Sequence, residues 1–195
     1  NKQYVDSSSA SGWSLSGNPG TDPATDFVGT TDEYPLVFRV NNTERMRLDT
    51  TGSLAFSGTG NSLFIGQGTG KHDDLTDNQN VFIGDSAGYN NTYGRYNTAS
   101  GYKAFYSNTG GSYNTGIGVE VLSSNTGGSY NTGLGSYALN SNTTGHQNTA
   151  TGRNALFRNA SGSYNTAHGV GALSSNEQGR FNTAIGNSAL ANNQQ

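Results

Sequence analysis

The sequence contains no cysteine and carries little charge: Asp, Glu, Lys and Arg make up 12% of its 195 residues. Without cysteine there is no disulfide framework, no thiolate metal site and no cysteine nucleophile. No apolar run approaches the ~18 residues of a bilayer-spanning helix, so membrane insertion of this segment is not expected. A formal charge of −3 offers no basic face for nucleic acid. Hydrophobic residues amount to 31%, low for a globular core, yet so few charges do not suit a disordered chain either. The chain opens on Asn1 without a recognisable signal peptide, as a processed chain or a fragment would. Its three histidines, His72, His146 and His168, stand at unrelated places, with no Ser-His-Asp order, nucleophile elbow or Walker loop. The frequent "GIG" and "GLG" triplets precede no helix and are not phosphate cradles. Neither catalysis nor a cofactor nor a metal centre is expected.

What the sequence has instead is 29 glycines and a fixed period. Asn80, Asn97, Asn114, Asn131, Asn148, Asn165 and Asn182 recur at every seventeenth position. Counting each unit from that Asn, Gly returns at the fifth place (Gly84 to Gly186) and Asn at the twelfth (Asn91 to Asn193). Leu or Phe fills the ninth place at Phe105, Leu122, Leu139, Leu156, Leu173 and Leu190, with Gly88 the exception. Fixed periods mean stacked units that bury their apolar faces on one another. A unit this short and this rich in Gly and Asn suits one coil of a parallel β-solenoid, with strands at "TAIG" and at "xAL". Left-handed backbone at tight corners would explain the fixed Asn and Gly. The ninth-place Leu should line the interior. The tiny third place (Ala99, Gly116, Gly133, Ala150, Ala167, Ala184) should face the other way from the second and fourth, against something close. Such a roll looks short of core, and oligomerisation through the Ala/Gly strands is the simplest remedy.

Residues 1–79 hold ten acids and five bases, residues 80–195 three and five, so organisation changes near residue 60 to 80. The reading is an extended segment over 1–33, a β-hairpin cap over 34–60 turning at Asn41–Asn42, and a solenoid of about eight repeats over 61–195. The cap would shield the first coil's open edge.

Three places could carry binding. The acidic stretch with His72, Asp73, Asp74 and Asp77 disturbs the period, reads as a protruding solvated loop and could hold a cation. The file Tyr96, Tyr113, Tyr130, Tyr164 and Phe181, interrupted by Gln147, could stack sugars or stack on itself. A file of Thr at the second place (Thr98 to Thr183) could order water on an ice or mineral surface.

"YNTAIGxxAL" and its variants resemble the head repeats of trimeric autotransporter adhesins of the YadA type, over about two-thirds of the chain. The leading segment from Gly12 to Phe56 is similar to segments preceding such repeats in bacterial surface proteins and phage tail fibres. The resemblance implies a left-handed parallel β-roll, a homotrimer and an adhesive extracellular role on a bacterial surface or virion tail. It also implies a host-cell or surface receptor, glycans included. A fibre shaft without its own ligand is the alternative from the same family, and ice or mineral binding the alternative from the Thr file.

Overall fold

Two asparagines set the first element. Asn41 and Asn42 both adopt left-handed backbone (φ 51° and 57°), the shape a two-residue hairpin turn demands. They join β1 (Leu36–Val40) to β2 (Thr43–Leu48), paired antiparallel with a bulge at Phe38/Arg39, and β3 (Leu54–Phe56) completes a sheet in the order β1-β2-β3. This is the computed structural model of the chain, and it describes residues 32–58 and 60–193. Residues 1–31 of the expected extended segment lie outside the described residues. The chain divides into two units between Ala55 and Phe56.

The second unit is a parallel β-solenoid. Its strands are β4 (Leu63–Ile65), β5 (Val81–Ile83), β6 (Thr98–Ser100), β7 (Thr115–Ile117), β8 (Thr132–Leu134), β9 (Thr149–Thr151), β10 (Thr166–His168) and β11 (Thr183–Ile185). They form one sheet in chain order, and each residue pairs with its equivalent one repeat on, as Thr115 with Thr132 and Gly116 with Gly133. From β5 onward each strand begins at the seventeenth position after the last, whereas β4 and β5 stand one position further apart. No helix occurs among the described residues.

The second expected strand, at "xAL", is a turn. Its ninth residues, Phe105, Leu122, Leu139, Leu156, Leu173 and Leu190, sit in left-handed backbone with φ of 48–55°. That conformation costs an L-residue about 1–2 kcal/mol. It is held by coil-to-coil bonds such as Leu122 N–H to Ala138 O (3.1 Å), and the first five of these side chains are fully buried.

The third place also differs from expectation. Ala99, Ala150, Ala167 and Ala184 point into the roll's own core, not toward a neighbouring roll. The residues there are small because the ninth- and eighth-place side chains fill the same narrow interior. A Cβ on Gly116 would lie 2.5 Å from Phe105 Cε1 and 2.9 Å from Val121 Cγ1, and one on Gly133 2.6 Å from Val121 Cγ2. Val121 replaces the usual eighth-place Ala, and the third places on both sides of it are Gly. The Gly88 exception has the same cause: Phe82 fills the third place of that coil, and a Cβ on Gly88 would lie 2.3 Å from its ring.

The repeated asparagines are not corner residues in left-handed backbone. As far as Asn176 they are buried, with Asn182 and Asn193 of the last coil part-buried, and their amides form two ladders along the roll. In the coil beginning at Asn114, that residue donates from its backbone N–H (2.9 Å) and from Nδ2 (3.2 Å) to Asn97 Oδ1, and again from Nδ2 to the Gly128 carbonyl (2.9 Å). Asn125 Nδ2 donates to Asn108 Oδ1 (2.7 Å) and to the same Gly128 carbonyl (2.9 Å). A Cβ on Gly128 would lie 2.3 Å from the Gly145 carbonyl oxygen and 2.4 Å from Asn125 Oδ1, so the fifteenth place is glycine. These five buried bonds, at ~1 kcal/mol net each, add about 5 kcal/mol per coil that a count of apolar side chains misses. Among the described residues no buried side-chain nitrogen or oxygen lacks a partner.

Candidate functional site

The surface of the roll follows from strand alternation: the third place points in, so the second and fourth point out. The second places form a Thr file in register from Thr98 to Thr183. Beside it the fourth places read Ile83, Ser100, Ile117, Leu134, Thr151, His168 and Ile185. Ile65, Ile83, Ile117, Leu134 and Ile185 are exposed, and Val119 and Val170 add exposed apolar surface two places further on. A large apolar side chain thus stands in solvent at five of the eight strands of this face. Only Thr149 and Thr151 make a Thr pair across both files.

The stretch around residues 71–79 is a corner with one residue more than the others. Asp73 is buried and occupies the twelfth place of its coil, as the first rung of an amide ladder. Its Oδ2 accepts from Asn91 Nδ2 (2.9 Å) and Asn80 Nδ2 (3.4 Å), and its Oδ1 from Asn78 Nδ2 (3.0 Å) and Leu75 N–H (2.9 Å). A carboxylate suits this rung, because an acceptor-only group needs no rung before it. Asp74 Oδ1 accepts from the Thr76 hydroxyl (2.8 Å) and N–H (3.1 Å) and from Asn78 Nδ2 (2.9 Å). Those bonds, the hydroxyl first, hold its carboxyl below the ordinary carboxylate value. Asp77 Oδ1 accepts from Asn61 Nδ2 (2.7 Å) and Gln79 Nε2 (3.3 Å), and its carboxyl is likewise lowered, chiefly by Asn61. His72 packs edge-on against the Tyr89 ring, with Nδ1 3.1 Å from the Tyr89 carbonyl oxygen. Asp73 and Asp74 share the Asn78 amide, while Asp77 and His72 each face other partners. Among the described residues, no three His, Asp or Glu gather as a metal site.

Next to this corner is a feature the sequence reading missed. Lys71 and Lys103, the lysines of the solenoid, lie over the rings of Tyr89 (5.2 Å) and Tyr106 (5.5 Å), which stack on each other at 5.2 Å. Lys71 Nζ donates to the Tyr89 hydroxyl (3.1 Å), which raises its pKa, and Lys103 is raised by the Tyr102 hydroxyl. The signal was a second aromatic period, since Tyr89 and Tyr106 stand one repeat apart at the tenth place. An open groove beside Tyr89 is lined by Gln67, Gly68, Lys71, Asp85 and Ser86.

The seventeenth-place aromatics stack on themselves. Tyr96 lies 4.9 Å from Tyr113 and Tyr113 5.0 Å from Tyr130, with the second pair 1° from parallel. Tyr164 and Phe181 stack at 4.9 Å. All five remain exposed along their outer edges. The remaining histidines serve different columns. His146 Nδ1 accepts the Ser129 N–H (3.0 Å), and His168 stands in the outward fourth place of β10. No family model, curated protein or solved structure matches the chain, so repeat grammar and surface chemistry carry its functional reading.

Proposed function

We propose that the chain is a fibrous segment of an extracellular adhesin, in which three copies of the β-roll pack side by side and present a receptor-binding surface. The exposed fourth-place file is the observation that carries this reading. Ile65, Ile83, Ile117, Leu134 and Ile185 run along one face of a rod whose ninth-place column is buried almost throughout, and an apolar stripe of that kind marks a partner surface. The Tyr file and the Lys71/Lys103 corner lie elsewhere on the coil and remain open for a ligand. The likeness of "YNTAIGxxAL" to adhesin head repeats points the same way, toward a bacterial surface or a virion tail.

Light scattering of the purified chain tests the assembly: a mass of three times 20.3 kDa is expected. Ile117→Lys combined with Leu134→Lys should leave the circular dichroism unchanged and reduce the mass to that of one chain. A wild-type monomer at all concentrations would overturn the trimer. Binding of the labelled trimer to host cells tests adhesion, and its absence from every cell type tried would leave only a shaft.

A further inference from the structure

The seventeenth-place file is interrupted once, by Gln147 between Tyr130 and Tyr164. The interruption lies in the side chain and not in the path of the chain. Gln147 has a φ of 55°, beside 59° and 60° for Tyr130 and Tyr164. Its N–H donates to Ser129 O at 3.0 Å, as those of Tyr130 and Tyr164 do to Ser112 O (3.1 Å) and His146 O (3.0 Å). β8, β9 and β10 stay in register across it.

Tyr130 and Tyr164 therefore stand two coil steps apart, about 10 Å at one strand spacing per step. Each ring has one face covered, Tyr130 by Tyr113 and Tyr164 by Phe181, and the other turned toward Gln147. Both rings are well exposed, at 59% and 48%. The gap accepts one further ring at the stacking distance that the file uses everywhere else. Gln147 is itself exposed, and its side-chain amide makes no hydrogen bond among the described residues, so it can swing aside and still reach a guest. The sixteenth-place neighbours are Ser129, His146 and Ser163, with neither Lys nor Arg among them to hold a phosphate or carboxylate.

The geometry points to a clamp for a neutral pyranose ring, held between the faces of Tyr130 and Tyr164 with the Gln147 amide bonded to its hydroxyls. The C–H faces of a sugar suit two aromatic planes, and the amide supplies both a donor and an acceptor. This gives the adhesion reading a ligand class and rests on that reading for its biological setting.

Full-length wild type, Gln147→Tyr and Gln147→Ala would be compared by saturation-transfer NMR against methyl glucopyranoside, methyl galactopyranoside and N-acetylglucosamine, with cell binding measured in parallel. Gln147→Tyr completes the ring file in a backbone already shaped for it, so it should fold as wild type and lose saccharide affinity by about tenfold or more. Gln147→Ala keeps the gap and loses only the amide, so a smaller loss is expected. Saccharide binding undiminished in Gln147→Tyr, or no binding of any of the three sugars by wild type, would overturn the clamp; cell binding that persists in either case leaves adhesion standing. Saccharide binding that falls in Gln147→Tyr without any cell binding would instead support the clamp and remove the adhesin.

Discussion

Replacing Asn125 by Ala tests whether the amide ladders hold the roll together. Asn125 is fully buried and takes part in three bonds: to Asn108 Oδ1 (2.7 Å), to the Gly128 carbonyl (2.9 Å), and from Asn142 Nδ2 (2.8 Å). After truncation the Gly128 carbonyl keeps its bond from Asn114 Nδ2, and Asn142 Nδ2 keeps the Gly145 carbonyl. Asn108 Oδ1 keeps nothing. One orphaned acceptor at about 1–3 kcal/mol and two further lost bonds at ~1 kcal/mol each give a loss of about 3–5 kcal/mol. Urea unfolding followed by circular dichroism would measure it at a fixed protein concentration, since any association adds to apparent stability. Hydrogen exchange would locate it, because a repeat array opens locally around a weakened interface. The neighbouring exposed Thr126→Ala removes one hydroxyl bond to Thr143 O and should cost less than ~1 kcal/mol. Asn125→Asp should be worse at neutral pH, where a carboxylate would face the oxygens of Asn108 and Gly128; protonation restores a donor, so that variant gains stability as pH falls. A loss below ~1 kcal/mol in Asn125→Ala, with no change in exchange at the adjacent coils, would refute the ladder argument.

Three further outcomes follow from the packing and the turns. Gly133→Ala should cost about 1–3 kcal/mol by overpacking against Val121, and in a Val121→Ala background the same change should cost nothing, a coupling that a double-mutant cycle reads directly. Gly118→Ala places a Cβ 2.7 Å from Gly135 O at a φ of 140°, and should cost about 3 kcal/mol or more, seen as a sharp fall in urea midpoint. In the N-terminal unit the Thr51 hydroxyl, then the Ser53 N–H, hold the Asp49 carboxyl below its ordinary 3.8. Its contribution is present above that value and is lost as pH falls through the depressed one, so a carboxyl NMR titration should give a midpoint below 3.8 in wild type.

The solenoid and its register were legible because the Asn and Gly places recur without error over six steps, and the Leu place with one exception. The hairpin was legible from two adjacent asparagines between the strand "LVFRV" and the returning "RMRLD". The roles of the repeated residues were not. Asn reads equally well as a corner residue or as a buried amide, and only its equivalent in the neighbouring coil decides between them. The third-place Ala and Gly show small size without showing which side is crowded. Phe82 and Gly88 break two places of the grammar at once, and they become one fact when the ring is seen to fill the space a ninth-place Leu would take. Asp73 was hidden by the single extra residue of its coil, which moved it off the twelfth place in a plain count.

Asp73 also gives the roll a direction. An amide can follow an amide without limit, because each rung gives a hydrogen to the one before and takes one from the next. A carboxylate can only take, so it can open the series and never continue it. In their amide rungs the coils from Asn91 onward are thus equivalent parts behind a marked beginning. One whole repeat copied or removed behind Asp73 leaves every amide rung matched, so the rod is a ruler whose length can change wherever the cut does not part Val121 from the glycines that face it.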